Sequence, residues 1–419
     1  MRQPPTHKSI LAFMQPFFRL LACPRGRRRS ALAVLLILLG LPCTLRAEPP
    51  CGDPVNLPNP VYMTVGDTQI NLMKELGAKL RETEQVTLIW RATGSCTNLD
   101  AIYGDLPMTG NLSYIPAGYD PVKTPTPPVC TLAAPGVSAD IANSIVFLEG
   151  CPAPKPQEVT DTLGPVQSFV FAVPRVSSQT AITAEEAYFA FGFGTAGRVV
   201  PWSEPRQLLI RPVTKGTILS MAASIHVPAG RWQGVPVNLS QDLASMLAMS
   251  ADPEKALGIL GSEVYDGYRA TLKSLAFRAF KQLRAYFPDS TELAFDKQNV
   301  RDGHYHMWSY THWLQRSDGM GKPRKALAQR VIDILVGNAV SPPAMFEPLA
   351  STIKVGLVPR CAMGVQRSTE GGDFSLYQPE QPCGCFYESS VRGKSSCAAC
   401  ASSATCGSGV CRHGFCEER

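Results

Sequence analysis

The sequence lacks the short motifs that mark the common hydrolases. It contains neither a G-x-S-x-G nucleophile turn nor an H-E-x-x-H metal-binding helix, and its six histidines stand apart from dense carboxylate sets. The turn Thr93–Cys96 resembles a nucleophile turn only weakly. We therefore expect a binding protein rather than an enzyme, with no cofactor and no resident metal.

A basic surface is also missing from most of the chain. The formal charge is +6 over 419 residues, but residues 1–47 contain eight Lys or Arg and no acid. The other 32 basic and 34 acidic residues give a net charge of −2. Nucleic-acid binding needs a concentrated positive field, so we expect no nucleic-acid partner.

The first 47 residues have the pattern of an export signal. A basic cluster, Arg25–Arg29, precedes the apolar run Ala31–Leu41, which is short for a membrane span, and Ala47 ends a plausible cleavage site. Pro42 stands where a lipoprotein signal needs a small residue, which disfavours but leaves open lipidation at Cys43. Met14 is an alternative start. We expect a periplasmic or cell-surface protein with no transmembrane anchor after cleavage.

Cysteine usage supports export. Twelve of the 14 cysteines follow the signal, and an even number in an exported chain predicts disulfides. Eight of them lie in residues 361–419, a segment with few large apolar residues, which predicts a small disulfide-rich module. The Cys383-x-Cys385 and Cys397-x2-Cys400 pairs also occur in zinc ribbons, so a metal remains the alternative there. The pairing of the cysteines is left open.

Three strand–turn–helix junctions carry groups that suit an anion. In each, a short apolar run is followed by a polar, glycine-containing turn, and a helix start offers free N–H groups to negative charge. Arg211 can add a two-pronged guanidinium and Thr217 a hydroxyl. The three segments are Val61–Val65 with Asp67 and Thr68, Val86–Trp90 with Gly94 and Ser95, and Leu208–Ile210 with Arg211, Lys215, Gly216 and Thr217.

Periodicity predicts further elements. Ile70–Leu80 has helical spacing, and Thr183 with Glu186 forms a capping-box pattern. Other expectations are strands at Ser144–Leu148 and Gly164–Val173, an irregular excursion over 103–135, and helices over Leu243–Met249, Ala256–Leu260, Tyr268–Phe287 and Ala326–Leu335.

The order of these segments resembles a known family. GPVQSFVFAVP, AITAEEAYFAFGFG, VVPWSE and then Arg211-x-x-x-Lys215-Gly216-Thr217 follow one another as in phosphate-binding proteins, the type II periplasmic solute-binding proteins of ABC importers. The segment Ala285–Trp313, with PDST and DKQNVRDGHY, is also similar to a phosphate-binding-protein-like family. The likeness in element order covers roughly residues 55–360.

The resemblance implies an α/β, two-lobed fold of the type II periplasmic-binding-protein kind, plus the C-terminal disulfide-rich module. It implies a first lobe over 48–163 and 302–360 and a second lobe over 164–301. It also implies an oxyanion ligand such as phosphate, an ABC permease as partner, and ligand contacts from Thr68, Ser95, Arg211, Gly216 and Thr217. Lys215 replaces the family's serine and is a further candidate.

One expected group is missing from the pattern. The family's phosphate binders place an Asp at the end of a first-lobe strand, where it accepts the proton of phosphate, but the matching stretch Phe147–Cys151 offers only Glu149. Two further alternatives rest on other features. The Cys-rich tail favours a surface, adhesion or sensing protein that uses the fold as a scaffold, and the spacing of His304, His306 and His312 leaves a metal site open.

Overall fold

The computed structural model describes residues 48–418, which form one compact unit. The predicted export signal and Cys43 lie outside the described residues. No helix within 48–418 combines the length and apolar character that crossing a membrane requires.

Short strands and helices alternate through most of the chain. The strands are β1 Pro60–Gly66, β2 Thr87–Thr93, β3 Pro107–Tyr114, β4 Val129–Ser138, β5 Ile141–Ser144, β6 Val159–Pro174, β7 Ala181–Thr183, β8 Leu208–Ile210, β9 Val235–Pro236, β10 Leu257–Gly261, β11 Leu272–Ser274, β12 Ala276–Arg278, β13 Trp308–Arg316, β14 Val365–Gln366, β15 Ser375–Leu376, β16 Val410–Arg412 and β17 Phe415–Glu417. The helices are α1 Ile70–Thr83, α2 Ser95–Tyr103, α3 Ala184–Phe193, α4 Gly216–Ile225, α5 Ser240–Ala248, α6 Ser262–Tyr265, α7 Gln298–Arg301, α8 Ala326–Val336, α9 Pro348–Lys354 and α10 Gly384–Arg392.

One long strand joins two halves of an 11-stranded sheet. The order is β4-β3-β2-β1-β5-β13-β6-β10-β8-β9, and β11 also pairs with β6. The first part of β6 pairs with β13, and its second part pairs with β10 and β11. We call the sheet from β4 to the first part of β6 lobe 1, and the sheet from the second part of β6 to β9 lobe 2. The α/β, two-lobed fold class predicted from the sequence is confirmed.

The alternation of parallel strands with helices follows from the buried apolar runs. β1 pairs in parallel with β2 and β5, and β8 pairs in parallel with β9 and β10. β10 is buried at all five positions, as expected for a strand covered on both faces. The capping box at Thr183 and Glu186 is confirmed at the start of α3.

Four expectations from the sequence are wrong in whole or in part. Residues 103–135 contain β3 and most of β4, which pair antiparallel at the sheet edge, so the irregular part is largely the stretch 115–128. Ala256–Leu260 lies largely in β10 rather than in a helix, because a short, wholly apolar run fits either element and here pairs with β6 and β8. Tyr268–Phe287 contains β11 and β12 instead of a helix, and its supposed core residue Leu283 is 97% exposed. The buried strand expected at Ser144–Leu148 ends at Ser144.

The cysteines pair as six disulfides, which confirms the disulfide-rich C-terminal segment. Two disulfides lie in lobe 1, and the other four lie in the last 59 residues. The pairs are Cys51–Cys130, Cys96–Cys151, Cys361–Cys383, Cys385–Cys397, Cys400–Cys411 and Cys406–Cys416. Cys383 and Tyr387 belong to the same core cluster as Phe169 and Phe171 of β6, so the segment packs on the body of the protein.

The Cys51–Cys130 bridge closes the longest loop, with a sequence separation of 79. Replacing both cysteines by serine should lower the free energy of unfolding by about 4.5 kcal/mol, because the bridge restricts the unfolded chain. Urea denaturation at pH 7 measures this loss. The matched control is the double replacement at Cys406 and Cys416, whose separation is 10; it should cost about 2.7 kcal/mol. Equal losses would contradict the loop-length argument.

Candidate anion-binding site between the lobes

Turns that follow parallel strands of both lobes meet at their interface. The carboxyl ends of such strands are where open α/β sheets usually bind ligands. Lobe 1 contributes the turns after β1 and β2, and lobe 2 contributes those after β8, β9 and β10. The residues at these turns are Asp67, Gly94, Arg211, Asn238 and Ser262.

A carboxylate of lobe 1 occupies the centre of this interface. Arg211 Nη2 donates to both oxygens of Asp67, at 2.7 and 2.8 Å, and Lys215 Nζ donates to Oδ1 at 3.0 Å. The Ser240 N–H, at the start of α5, donates to Oδ2 at 3.0 Å. Asp67 is 2% exposed and Arg211 is 1% exposed. All four donated bonds come from lobe 2, so an anion of one lobe is held by the cations of the other.

The ionised form of Asp67 is stabilised by its partners. Burial acts to raise the pKa of this carboxyl, but the charges of Arg211 and Lys215 and the Ser240 N–H outweigh it and hold the pKa below its usual value. Asp67 is therefore a fixed negative charge at neutral pH.

The cluster retains one excess positive charge. Arg211 and Lys215 supply two cations and Asp67 one anion. Other bonds of the cations go to neutral oxygens: Arg211 Nη1 donates to Ser240 Oγ at 2.7 Å and Lys215 Nζ to the Thr93 carbonyl at 3.0 Å. Among residues 48–418, Arg211 Nε and Thr68 Oγ1 find no hydrogen-bond partner although both are buried. The site thus keeps charge and hydrogen-bonding capacity for a further anionic group.

The six predicted ligand residues are all buried at this interface. Ser95 Oγ accepts the Ile145 N–H at 3.1 Å. Gly216 begins α4, and a Cβ there would lie 2.3 Å from Ile145 Cγ1 and 2.6 Å from Ser95 Oγ, so only glycine allows this approach of the lobes. Thr217 follows in the first turn of α4 and Thr68 lies beside Asp67. The structure brings the residues together, and their binding of a ligand remains a prediction.

At the start of α2, one of the backbone N–H groups expected to bind an anion is already hydrogen-bonded within the protein. The Cys96 N–H, in the first turn of α2, donates to the Thr214 carbonyl of lobe 2 at 3.2 Å. A neutral oxygen therefore takes up one of the free N–H groups that the sequence suggested for a ligand.

The carboxylate at this interface follows β1, and it is Asp67, which the sequence analysis already placed among the groups that suit an anion. Glu149 is exposed in a short 3₁₀ turn and takes no part in the interface. Asp67 is the first residue after β1, so it lies at the end of a first-lobe strand. The resemblance implied an Asp at such a position, but at the end of a different strand. The sequence analysis named Asp67 as a candidate for ligand contact but looked for the strand-end carboxylate in the stretch Phe147–Cys151.

A second carboxylate ties the lobes together from the C-terminal side. We call residues 365–376, which contain β14 and β15, the C-terminal strap. Its Glu370 accepts the Phe147 N–H of lobe 1 at 3.1 Å, Ser309 Oγ of β13 at 2.8 Å and Ser220 Oγ of α4 at 2.5 Å. One side chain thus contacts both lobes, with two of its bonds in lobe 1 and one in lobe 2.

The three histidines of the segment 304–312 have separate environments. His304 contacts Asp302 at 2.7 Å and stacks on Tyr286, and His306 lies against Phe374. His312 contacts Asp161 at 2.8 Å. Among residues 48–418, the one group close enough to hold a metal consists of Cys400, Cys406 and Cys416, all of which are disulfide-bonded.

Comparison with known proteins gives structural likenesses only. No family model and no curated protein matches the sequence. One similar structure is a Clostridium perfringens protein assigned as a phosphate ABC transporter substrate-binding protein and solved with bound phosphate. It is 12% identical to this chain, with a TM-score of 0.48, and the alignment covers 72% of this chain and 99% of that chain. An ABC-type phosphate transport receptor from Vibrio cholerae is 12% identical, with a TM-score of 0.45 and the same coverage. Similarities this distant leave ligand and partner to be argued from this chain's own contacts.

Replacing Asp67 by Asn should destabilise the protein by about 3–5 kcal/mol at pH 7, because two buried cations lose their counter-charge. Urea denaturation in buffer free of phosphate and sulfate measures the loss. Added phosphate should restore part of it, since an external anion can take over the donors of lobe 2. The control is Asp100→Asn, at an exposed position of α2. An Asp67→Asn loss below about 1 kcal/mol, typical of a surface pair, would contradict this assignment.

The same pair predicts acid sensitivity. The folded-state pKa of Asp67 lies below its ordinary value of 3.8, so its contribution to stability is complete above that value. The contribution is lost as the pH falls below 3.8 through the lower folded-state pKa. Unfolding free energies of the native protein and of Asp67→Asn between pH 6 and pH 2.5 should converge at the acid end. Parallel curves would show that Asp67 does not titrate with unfolding.

Proposed function

We propose that the chain is an exported solute-binding protein that captures a phosphate-like oxyanion between its lobes and delivers it to an ABC permease. The observation that supports this most is the seat formed by Arg211, Lys215 and the Ser240 N–H, which already binds a carboxylate from the opposite lobe. Opening of the lobes withdraws Asp67 from that seat. An external anion then binds to the same donors, and the lobes close on it by a hinge motion.

Asp67 gives the seat a preference between anions. When the lobes close again, its ionised carboxylate faces the bound anion, and two adjacent negative groups are tolerated only if one carries a proton. Phosphate retains a proton near neutral pH, whereas sulfate does not. The proposed ligand is therefore a protonated oxyanion, and Asp67 accepts its proton in a hydrogen bond.

Export and uptake are parts of the proposal that other observations support. Six disulfides are typical of proteins outside the cytosol. The predicted signal over residues 1–47 and its cleavage after Ala47 agree with that location. The permease partner follows from the resemblance to importer binding proteins.

A second function is favoured because a side chain of the protein itself already occupies the anion seat. Asp67 occupies the seat, and Glu370 adds a tie between the lobes, so the closed form needs no external ligand to hold it. In this alternative the chain is a cell-surface, adhesion or sensing protein, and the binding fold is a scaffold that Asp67 locks permanently.

Isothermal titration of the exported protein with phosphate and sulfate separates the two functions. The first predicts phosphate binding that Arg211→Gln weakens by about 100-fold, because two charge-assisted bonds are lost. Arg206→Gln, an exposed arginine of the same lobe, is the control and should bind as the native protein does.

Asp67→Asn then tests the role of the carboxylate. It should bind sulfate at least as tightly as phosphate, whereas the native protein should prefer phosphate by about 100-fold. No heat with either anion in the native protein and in Asp67→Asn would remove the first function and leave the scaffold.

A further inference from the structure

A group of uncharged polar side chains lies beside the anion seat. Gln69 of lobe 1 donates through Nε2 to Oε1 of Gln167 on β6, and Glu263 of α6 approaches from lobe 2. All three are buried, and Glu263 is only 5% exposed. A Cβ on Gly261 would lie 2.3 and 2.5 Å from the Glu263 carboxyl oxygens and 2.7 Å from Gln167 Nε2, which places both side chains around one backbone position.

Most of the hydrogen-bonding capacity of this group is unused. Within residues 48–418, Gln69 Oε1, Gln167 Nε2 and both carboxyl oxygens of Glu263 have no hydrogen-bond partner. The same holds if the oxygen and nitrogen atoms of both side-chain amides are exchanged. One donor and one acceptor then still lack a partner, because the hydrogen bond between the two amides uses one of each. Orphaned buried polar atoms are rare in native proteins, so a cluster of four points to a partner that supplies hydrogen bonds.

Burial favours the neutral form of Glu263. It raises the pKa of this carboxyl well above the usual value, its own backbone N–H opposes the shift, and the nearby charges of Asp266 and Asp67 add to it. A protonated carboxyl offers one O–H donor and one carbonyl acceptor. Together with the two amides, the group presents donors and acceptors in equal measure and no net charge.

The group and the anion seat are joined by one short turn of lobe 1. Asp67, Thr68 and Gln69 are consecutive in a single 3₁₀ turn, so the residue that marks the seat and the first amide are held by the same backbone. Between them lies Thr68 Oγ1, which also has no hydrogen-bond partner in the described part of the chain. A molecule bound at the seat therefore extends towards Gln167 and Glu263 if it carries a substituent.

We propose that the ligand is a hydroxyl-bearing phosphate ester, a polyol phosphate, rather than inorganic phosphate. This inference rests on the proposed function, because the phosphate group takes the seat at Arg211. Hydroxyl groups both donate and accept, which matches the mixed set on Gln69, Gln167 and Glu263. An ammonium substituent fits less well, because it would add a buried charge beside Arg211 and Lys215.

The test compares three titrants on the exported full-length protein: inorganic phosphate, glycerol 3-phosphate and propyl phosphate. Glycerol 3-phosphate and propyl phosphate have the same carbon chain, but only the first has hydroxyls. Isothermal titration should give at least about 100-fold tighter binding of glycerol 3-phosphate than of propyl phosphate, because a site built for hydroxyls rejects the analogue without them. Inorganic phosphate should bind more weakly than glycerol 3-phosphate as well.

Substitutions at Glu263 locate the effect. Glu263→Gln keeps a neutral donor and acceptor and should bind glycerol 3-phosphate within about threefold of the native protein. Glu263→Leu removes both and should lose most of the preference over propyl phosphate, while inorganic phosphate binds as before. Glu82→Leu, an exposed change on α1, is the control. If Glu263→Leu does not fold by circular dichroism, Gln167→Met tests the same loss.

The outcomes separate this inference from the function on which it rests. Equal binding of glycerol 3-phosphate and propyl phosphate, with phosphate still bound, would overturn the polyol inference and leave the anion seat intact. A preference that survives both Glu263→Leu and Gln167→Met would overturn it too. Failure of all three titrants would overturn the proposed function itself.

Discussion

The ion pair between Asp67 and Arg211 is the buried charge–charge contact at the centre of the interface between the two lobes. A buried ion pair is stable only while all of its partners are present, because each charge has given up its hydration. Arg211 and Lys215 of lobe 2 therefore need an anion whenever the lobes are closed. Asp67 is the anion that the chain supplies itself. The closed arrangement of the lobes, the burial of the seat and any exchange of Asp67 for an external anion all depend on this need for a negative charge beside Arg211 and Lys215.

The tie made by Glu370 is of a different physical kind. Its carboxylate is bound by a backbone N–H and two hydroxyls rather than by a cation, so it holds the lobes through charge-assisted hydrogen bonds. Arg367 of the same strap stacks on Trp308, and burial lowers its pKa to about 10, with the charge of Glu370 opposing this shift. The C-terminal segment therefore contributes to closure, although the sequence suggested a separate module.

Local sequence predicted the parts of the site that local structure determines. The turn from Arg211 to Thr217 was recognisable because a strand end, a glycine and a helix start lie within seven residues. The role of Asp67 was not, since its partners are 144 and 148 residues away and meet it only when the lobes pack. Glu263 gave no signal at all, because a glutamate in a sequence is expected to be exposed and its burial is a tertiary property.

The same reasoning explains the errors in the fold. The segments Ala256–Leu260 and Tyr268–Phe287 are apolar enough for either a helix or a strand. Strands form there because β10 and β11 pair with the two edges of the second half of β6. Residues 103–135 were judged by their proline and glycine content, yet an edge strand such as β4 tolerates such residues better than a central one does. Propensity is a weak guide wherever a long strand such as β6 is available to pair.

The two ends of the interface differ in a way that limits what can bind there. At one end, two cations and one carboxylate leave a single positive charge, which a monoanion balances and a dianion exceeds. At the other end, Gln69, Gln167 and the neutral Glu263 carry no charge, and apolar groups there would leave their polar atoms unsatisfied. A ligand that satisfies both ends must be anionic at one side and polar but uncharged at the other. Asp67 occupies only the first end and leaves one positive charge there, while within residues 48–418 the buried polar atoms at the second end have no partner.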